Sequence, residues 1–285
     1  MKNGGRNVKS SHRWVIVLLF VLAAPWLAGA DEIPWQKKLP FKEAVITYEL
    51  SGMENGEEVL YIRDWGRQTA RHRTAATTVL GIKQVSRSIE IVTPEWLYSF
   101  DLQEETGTKS INPRKLMLDE YQKLSAADRK KVDENAQKTA TMFMGTMQGS
   151  VEPNAKEILG YACDRTSGLD TTVYFIHDTP ISLYTESKIV GISMKSVATL
   201  VEKKAVDEQF FQIPEHIVPQ PDPEADRLAA IMAEQTIAAL KDPAGFKQKN
   251  QGLLGLPPGE QPVIPEEDQM QMEEAMETLK RLLGK

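Results

Sequence analysis

Between Phe41 and Ile111 apolar and polar positions alternate in short runs, the period of strands with one buried face. In AVITYELSG, Ile46, Tyr48 and Leu50 take one side and Thr47 and Glu49 the other. ENGEE follows as a turn, because Asn55-Gly56 supplies the positive φ values of a tight hairpin. EVLYIRDWG reads as the next strand, closed by Asp64 to Gly66, and the Thr- and charge-rich QTARHRTAATTV as a strand with one wet face. IKQVSRSIEIVTPEWLYSFDL reads as two strands parted at Thr93-Pro94, since proline has no N–H to give to a ladder. EETGTKSINP supplies a turn and a short exit. Short connections between consecutive strands predict antiparallel pairing.

Over 114–148 the period changes to that of helices. Val132, Ala136, Ala140, Phe143 and Met147 recur at spacings of three and four, and Ser125 stands as an N-cap. A shorter helix precedes, with Leu116, Tyr121 and Leu124 inward. Met142, Phe143, Met144 and Met147 crowd the end of the long one. Methionine adapts to irregular surroundings, so the cluster reads either as core filler beneath a sheet or as a flexible lid over an apolar cavity.

Strands resume at Ile158 in ILGYACDRTS, TTVYFIHD, ISLYTESKIVG and ISMKSVATLVEKK. Leu159, Tyr161 and Cys163 are expected on one face of the first. DEQFFQIPEHIVP closes the sheet region, and the prolines and acids of QPDPEAD mark a boundary. Two helices follow, one carrying Leu228, Ile231, Met232 and Ala239, the other Met272, Met276, Leu279 and Leu283. Short helices of this kind are marginal alone, so each apolar stripe wants a partner.

The N-terminus bears on location. Lys2, Arg6, Lys9 and Arg13 precede an apolar run from Trp14 to Leu27, then Ala28 and Ala30. The run is shorter than the ~20 residues of a membrane-spanning helix, and its flanks suit a cleaved signal peptide rather than a permanent anchor. The expected parts are therefore a signal peptide at 1–30, a sheet domain at 31–218 with its helical insertion at 114–148, and a Pro-rich linker with two amphipathic helices at 219–285. A mature start near Asp31 would place the protein in the periplasm or secreted. Losing four cations and no acids would take the formal charge from −6 to about −10, which disfavours nucleic acid as a partner. In an oxidising compartment the lone Cys163 must be buried or pair with another chain.

Candidate chemistry is sparse. His72, His177 and His216 are scattered without the spacing of a zinc site. His177, at a strand end beside Asp178, reads as a turn stabiliser. Cys163 has no basic cluster or helix N-terminus beside it to lower its pKa, so it reads as inert. No nucleophile elbow, phosphate loop or dinucleotide fingerprint occurs. The sequence names no catalytic residue, metal or cofactor, and the protein is read as not an enzyme.

The phrases ITYELSG…GEEVLYIRDWGRQTAR, EWLYSFDLQEETGTKSINP, ILGYACDRTSG and DEQFFQIPEHI resemble secreted bacterial proteins of unknown function related to the lipoprotein-carrier (LolA- and LolB-like) half-barrel. The match covers about 40–217, on Tyr61, Asp64, Gly66 and Arg67 and on Ile158, Leu159, Gly160, Tyr161 and Cys163. The resemblance implies an α+β fold: a strongly curved antiparallel sheet, a helical insertion covering its concave side, and C-terminal helices beyond. It implies a carrier or binder of a lipid, lipidated protein or other apolar molecule. Inward strand residues Tyr48, Trp96, Tyr98 and Phe175 would line the cavity, with Met142, Phe143 and Met147 as its lid. The alternative is a non-carrying module that docks an envelope protein through the C-terminal helices.

Overall fold

The computed structural model describes residues 39–79, 82–146, 150–168, 170–189 and 192–245. The signal-like residues 1–30, Met147 and the second tail helix lie outside the described residues, as do the side chains of Met142 and Phe143. The first strand run gives β1 (Ala44–Gly52), β2 (Glu54–Arg63), β3 (Gln68–Val79), β4 (Ile82–Val92), β5 (Trp96–Asp101) and β6 (Thr106–Ile111). Two helices follow, α1 (Pro113–Gln122) and α2 (Ala126–Thr146). The second run is β7 (Ser150–Ile158), β8 (Tyr161–Gly168), β9 (Thr171–Ile176), β10 (Ser182–Ile189) and β11 (Ile192–Glu202). A two-residue β12 (Gln220–Pro221) and α3 (Pro223–Lys241) complete it.

Both runs join in one 12-stranded sheet of order β12-β6-β5-β4-β3-β2-β1-β11-β10-β9-β8-β7. The seam is β1 against β11, and only β12, beside β6, runs parallel to its neighbour. The sheet is curved and unclosed, and the bend shortens the connection from β6 to β7. Those strands stand ten places apart, about 48 Å in a flat sheet at ~4.8 Å per strand. The crossing falls to α2, whose 21 residues span about 32 Å. α1 adds little, because α2 folds back against its end. The Tyr121 hydroxyl donates to Asp133 at 2.9 Å, and the Arg129 guanidinium donates to the Gln122 and Leu124 carbonyls.

Register divides the sheet into two faces. Tyr48 stands opposite Glu58, then Arg73, Ser88 and Asp101 on successive strands. Three positions back along β1, Val45 begins the row Tyr61, Ala70, Ile91, Tyr98, which takes the opposite face. On the Tyr48 face a fully buried cluster holds Ala44, Ile46, Tyr48, Leu60 and Ile62 together with Cys163, Ile176, Leu183 and Ala198. Phe41 closes its end, edge-on to Tyr161. The Tyr98 face packs Ala70, Ile91 and Phe100 beneath the segment between β11 and β12. There Phe210 stacks on Tyr61 with ring centroids 4.0 Å apart, His72 Nε2 donates to the Phe210 carbonyl, and Ile217 covers Phe100. Gly107 permits this, since a Cβ there would meet the Phe100 ring at 2.5 Å.

The three helices share a core of Tyr121, Val132, Ala136, Ile237 and Leu240. Ser125 caps α2 through the Asp128 N–H, as expected. Asp222 caps α3, and Asp226 on its first turn accepts the Ile111 N–H, which fastens the helix to β6.

Several expectations are corrected. The first hairpin turns at Gly52, φ 106°, not at Asn55-Gly56, which lie inside β2. Gly56 serves close approach instead, because a Cβ there would sit 2.1 Å from the Thr74 carbonyl oxygen. The supposed exit TGTKSI is the strand β6, and the second run begins at Ser150 rather than Ile158. Leu159 belongs to the turn before β8, at φ 52° and exposed, so it does not share the buried side of Cys163. QPDPEAD is no free linker, since Gln220 and Pro221 pair with Thr108 and Lys109. The first tail helix buries Ala229, Ala233, Ile237 and Leu240 within the same compact unit, while Ile231 is exposed.

Candidate functional site

The Tyr48 face changes character across the sheet. On β1 and the end of β2 it is apolar and closed by its own side chains. From β2 to β6 it becomes hydroxylic and charged: Glu58, Arg71, Arg73, Ser88, Glu90, Ser99, Asp101 and Thr108 follow one another in register. β4, β5 and β6 are half-buried along this side, neither packed away nor fully wet.

Glu58 anchors the polar part. Its side chain is 5% exposed, and a carboxylate so placed must be paired to stay charged. Arg71 Nη1 donates to its Oε1 at 2.6 Å, and Arg73 Nη1 lies 3.7 Å from Oε2. Arg73 also binds Glu54, and Arg71 Nε lies 3.8 Å from Glu90. Glu58 holds the Arg71 guanidinium firmly protonated, against the opposing effect of burial. Each arginine keeps 37% of its side chain accessible, so both retain donors on the open side. Tyr48 adjoins this group, and burial raises its phenol pKa. Its hydroxyl donates to the Ser182 carbonyl at 3.0 Å, joining β1 to the start of β10.

The proposed cavity residues fall in separate places. Tyr48 is buried in the core on one face; Tyr98, stacked on Phe100, belongs to the other. Trp96 is half-buried under the Lys109 ammonium, 5.0 Å from the ring centroid, and Phe175 is half-buried opposite Asp164 and Ser182. The four aromatics do not form one wall. Met142 and Phe143 ride on α2 as side chains outside the described residues, and Met147 is outside them altogether. Two shallow hollows, both open to solvent, lie among the described residues. One of about 180 Å³ on the Tyr98 face touches Glu57, His72, Arg87 and Leu102; one of about 370 Å³ lies between Ser167, Thr171, Thr172, Glu186 and Lys188.

Cys163 is fully buried, and its thiol donates to the Tyr161 carbonyl at 3.4 Å. Burial raises its pKa, so it is held as a thiol rather than the nucleophilic thiolate. Its neighbour Asp164 organises the adjoining turn, a role that the sequence pattern suggests only for His177 and Asp178. The buried Asp164 carboxylate accepts from the Asn154 N–H at 2.8 Å, His177 Nδ1 at 2.7 Å and the Asp178 N–H at 3.3 Å. Burial pushes its pKa up, and these three donors more than offset that, leaving it below the usual carboxylate range. His177 Nε2 faces Asp178 at 3.4 Å, so both ring nitrogens face carboxylates and the cluster ties β7 to the β9 end.

Among the described residues no three His, Cys, Asp or Glu side chains are placed to share a metal ion. No described helix is long and apolar enough to cross a membrane.

No family model matches the chain, and no curated protein matches it. Among solved structures, an uncharacterized conserved protein from Thermus thermophilus is similar at 8% identity and TM-score 0.38, over 64% of this chain and 92% of that one. PNGF-II is similar at 16% identity and TM-score 0.33, over 67% of this chain and 33% of that one.

Proposed function

We propose that the protein is a non-catalytic binder or carrier of an amphiphile, a lipid or a lipidated polypeptide, working outside the cytoplasm. The reading rests on one observation: α2 is strung between the two ends of a bent, unclosed sheet. In this reading the helical insertion covers the concave side, and the ligand lies between α2 and the Tyr48 face. The face grades from apolar rows at β1 to hydroxyl and guanidinium rows at β3–β6, which suits a molecule with a greasy and a polar end. Each methylene withdrawn from water would contribute ~0.8 kcal/mol. Because the β1–β2 half is already filled by the chain's own side chains, the acyl part would lie against α2 rather than displace the core. The signal-like residues 1–30 and the lipoprotein-carrier phrases support the location and the class of ligand.

Uptake of a fluorescent fatty acid and a fluorescent lysophospholipid by the full-length chain tests this. Saturable uptake, competed by unlabelled lipid, is expected. Absence of uptake for every amphiphile tried would overturn it.

A further inference from the structure

Three carboxylates and two guanidiniums meet on the Tyr48 face. Glu58 takes Arg71 at 2.6 Å, and Arg73 is shared between Glu58 and Glu54. Glu90 is left with the longest of these contacts, 3.8 Å from Arg71 Nε and beyond hydrogen-bond reach, and its side chain stays 39% exposed. Register sets Ser99 directly opposite it on β5 and Thr108 beyond on β6, while Ser88 stands two residues back along β4 on the same side. Among the described residues none of these three hydroxyls is bonded to another protein group. Asp101, the remaining acid of this patch, already accepts from the Gln103 and Glu104 N–H groups. No lysine or arginine of β4, β5 or β6 stands on this face, since register places Lys83, Arg87 and Lys109 on the other.

We propose that Glu90 selects the ligand by its head group: the bound amphiphile carries a protonated amine, which sits against the Glu90 carboxylate between Ser88 and Ser99. The inference rests on the carrier reading and names the head that the polar end of the face takes. A ligand lying on this face strips water from Glu90, and a carboxylate so covered has to be neutralised. Arg71 and Arg73 are held by Glu58 and Glu54, so the neutralising charge falls to the ligand. One ammonium brings the patch of Glu54, Glu58, Glu90, Arg71 and Arg73 to equal numbers of positive and negative charges. An anionic head would set a further negative group against the same two guanidiniums. An uncharged head would leave Glu90 covered and poorly paired. An ammonium also offers three donors, enough for one carboxylate and the adjacent hydroxyls.

Isothermal titration calorimetry of the full-length protein at neutral pH tests it, with dodecylammonium, dodecyl glucoside and dodecanoate each below its micelle concentration. The three share one chain and differ in head charge. Dodecylammonium is expected to bind about tenfold tighter than the glucoside, the scale of one hydrogen bond to a charged group, with dodecanoate the weakest. In Glu90→Gln the ammonium preference should vanish. Glu49→Gln, at an exposed acid of the opposite face, should keep it, which separates Glu90 from the −6 charge of the whole chain. Far-UV circular dichroism confirms the fold of each variant. The proposal is overturned if the three amphiphiles bind alike, if dodecanoate binds tightest, if Glu90→Gln keeps the preference, or if Glu49→Gln removes it as well. Those outcomes leave the carrier reading standing, whereas binding of none of the three would sink both.

Discussion

The Tyr48 hydroxyl donates to the Ser182 carbonyl at 3.0 Å, a bond between the first strand of one meander and the fourth of the other. The two residues are 134 positions apart in sequence, and the bond spans the seam at which β1 meets β11. Tyr48→Phe keeps the packing and leaves that carbonyl unpaired, at a cost of about 1 kcal/mol. Burial raises the Tyr48 pKa above its unfolded value, so its contribution is complete below pH ~10 and is lost as pH rises through the folded value. Denaturant titrations at neutral and alkaline pH should show the variant less stable at neutrality, with a shallower alkaline decline. An equally steep decline would contradict the assignment.

Asp164 contributes with the opposite sign. Its folded pKa is depressed, so its stabilisation is present above the unfolded value of ~3.9 and is lost as pH falls through the folded one. Asp164→Asn should cost about 1–3 kcal/mol at neutral pH, as expected for hydrogen bonds to a charged group. It should also flatten the acid limb of the stability curve. Amide exchange on β7 would rise in the variant, since the Asn154 N–H then donates to a neutral amide oxygen instead of a carboxylate.

Cys163, fully buried and held as a thiol, should resist thiol reagents in the native state and label at the rate of unfolding. Rapid native labelling would show the thiol to be accessible. Cys163→Ser should destabilise by about 1–3 kcal/mol, the cost of burying a hydroxyl with poorer partners.

Removing Glu58 strips two guanidiniums of their shared partner. A fully buried broken pair costs about 3–5 kcal/mol. The arginines here are 37% exposed, and solvent screening brings the expectation for Glu58→Gln to about 2 kcal/mol. Chemical denaturation of the variant, with Arg71→Lys alongside, measures it; a change within about 0.5 kcal/mol, typical of an ordinary surface site, would show the network to be superficial.

Gly107 and Gly160 separate two reasons for glycine. A Cβ at Gly107 would press on the Phe100 ring, so Gly107→Ala should cost about 1–3 kcal/mol through overpacking. Gly160 has open space around it but φ of 80°, and Gly160→Ala should cost about 1–2 kcal/mol from backbone strain alone. Thermal melts that found Gly160 indifferent would remove the strain argument.

The strands with one buried face were legible in the sequence, because alternation at Ile46, Tyr48 and Leu50 records that face directly. β6 and β7 were not. TGTKSI is half-wet beside a two-residue neighbour, and SVEPNAKEI is an edge strand with a proline, a bulge and outward charge, so neither carries an apolar period. The faces of the aromatics are not legible for a related reason. Tyr48 and Tyr98 each sit in an alternating run, and only the register across four strands sets them on opposite faces. A sheet with a core on both sides gives no sequence signal of which aromatic faces which. The buried stripe of α3 differs from the expected one because alanines at 229 and 233 carry the contact while the bulkier Ile231 points out.

The carrier account meets its most direct test in native mass spectrometry of full-length protein purified from the cells that make it. The account predicts adducts with the mass of a lipid or acylated species, released by organic extraction and restored by adding the extract back. A single bare mass before and after exposure to lipid would contradict it.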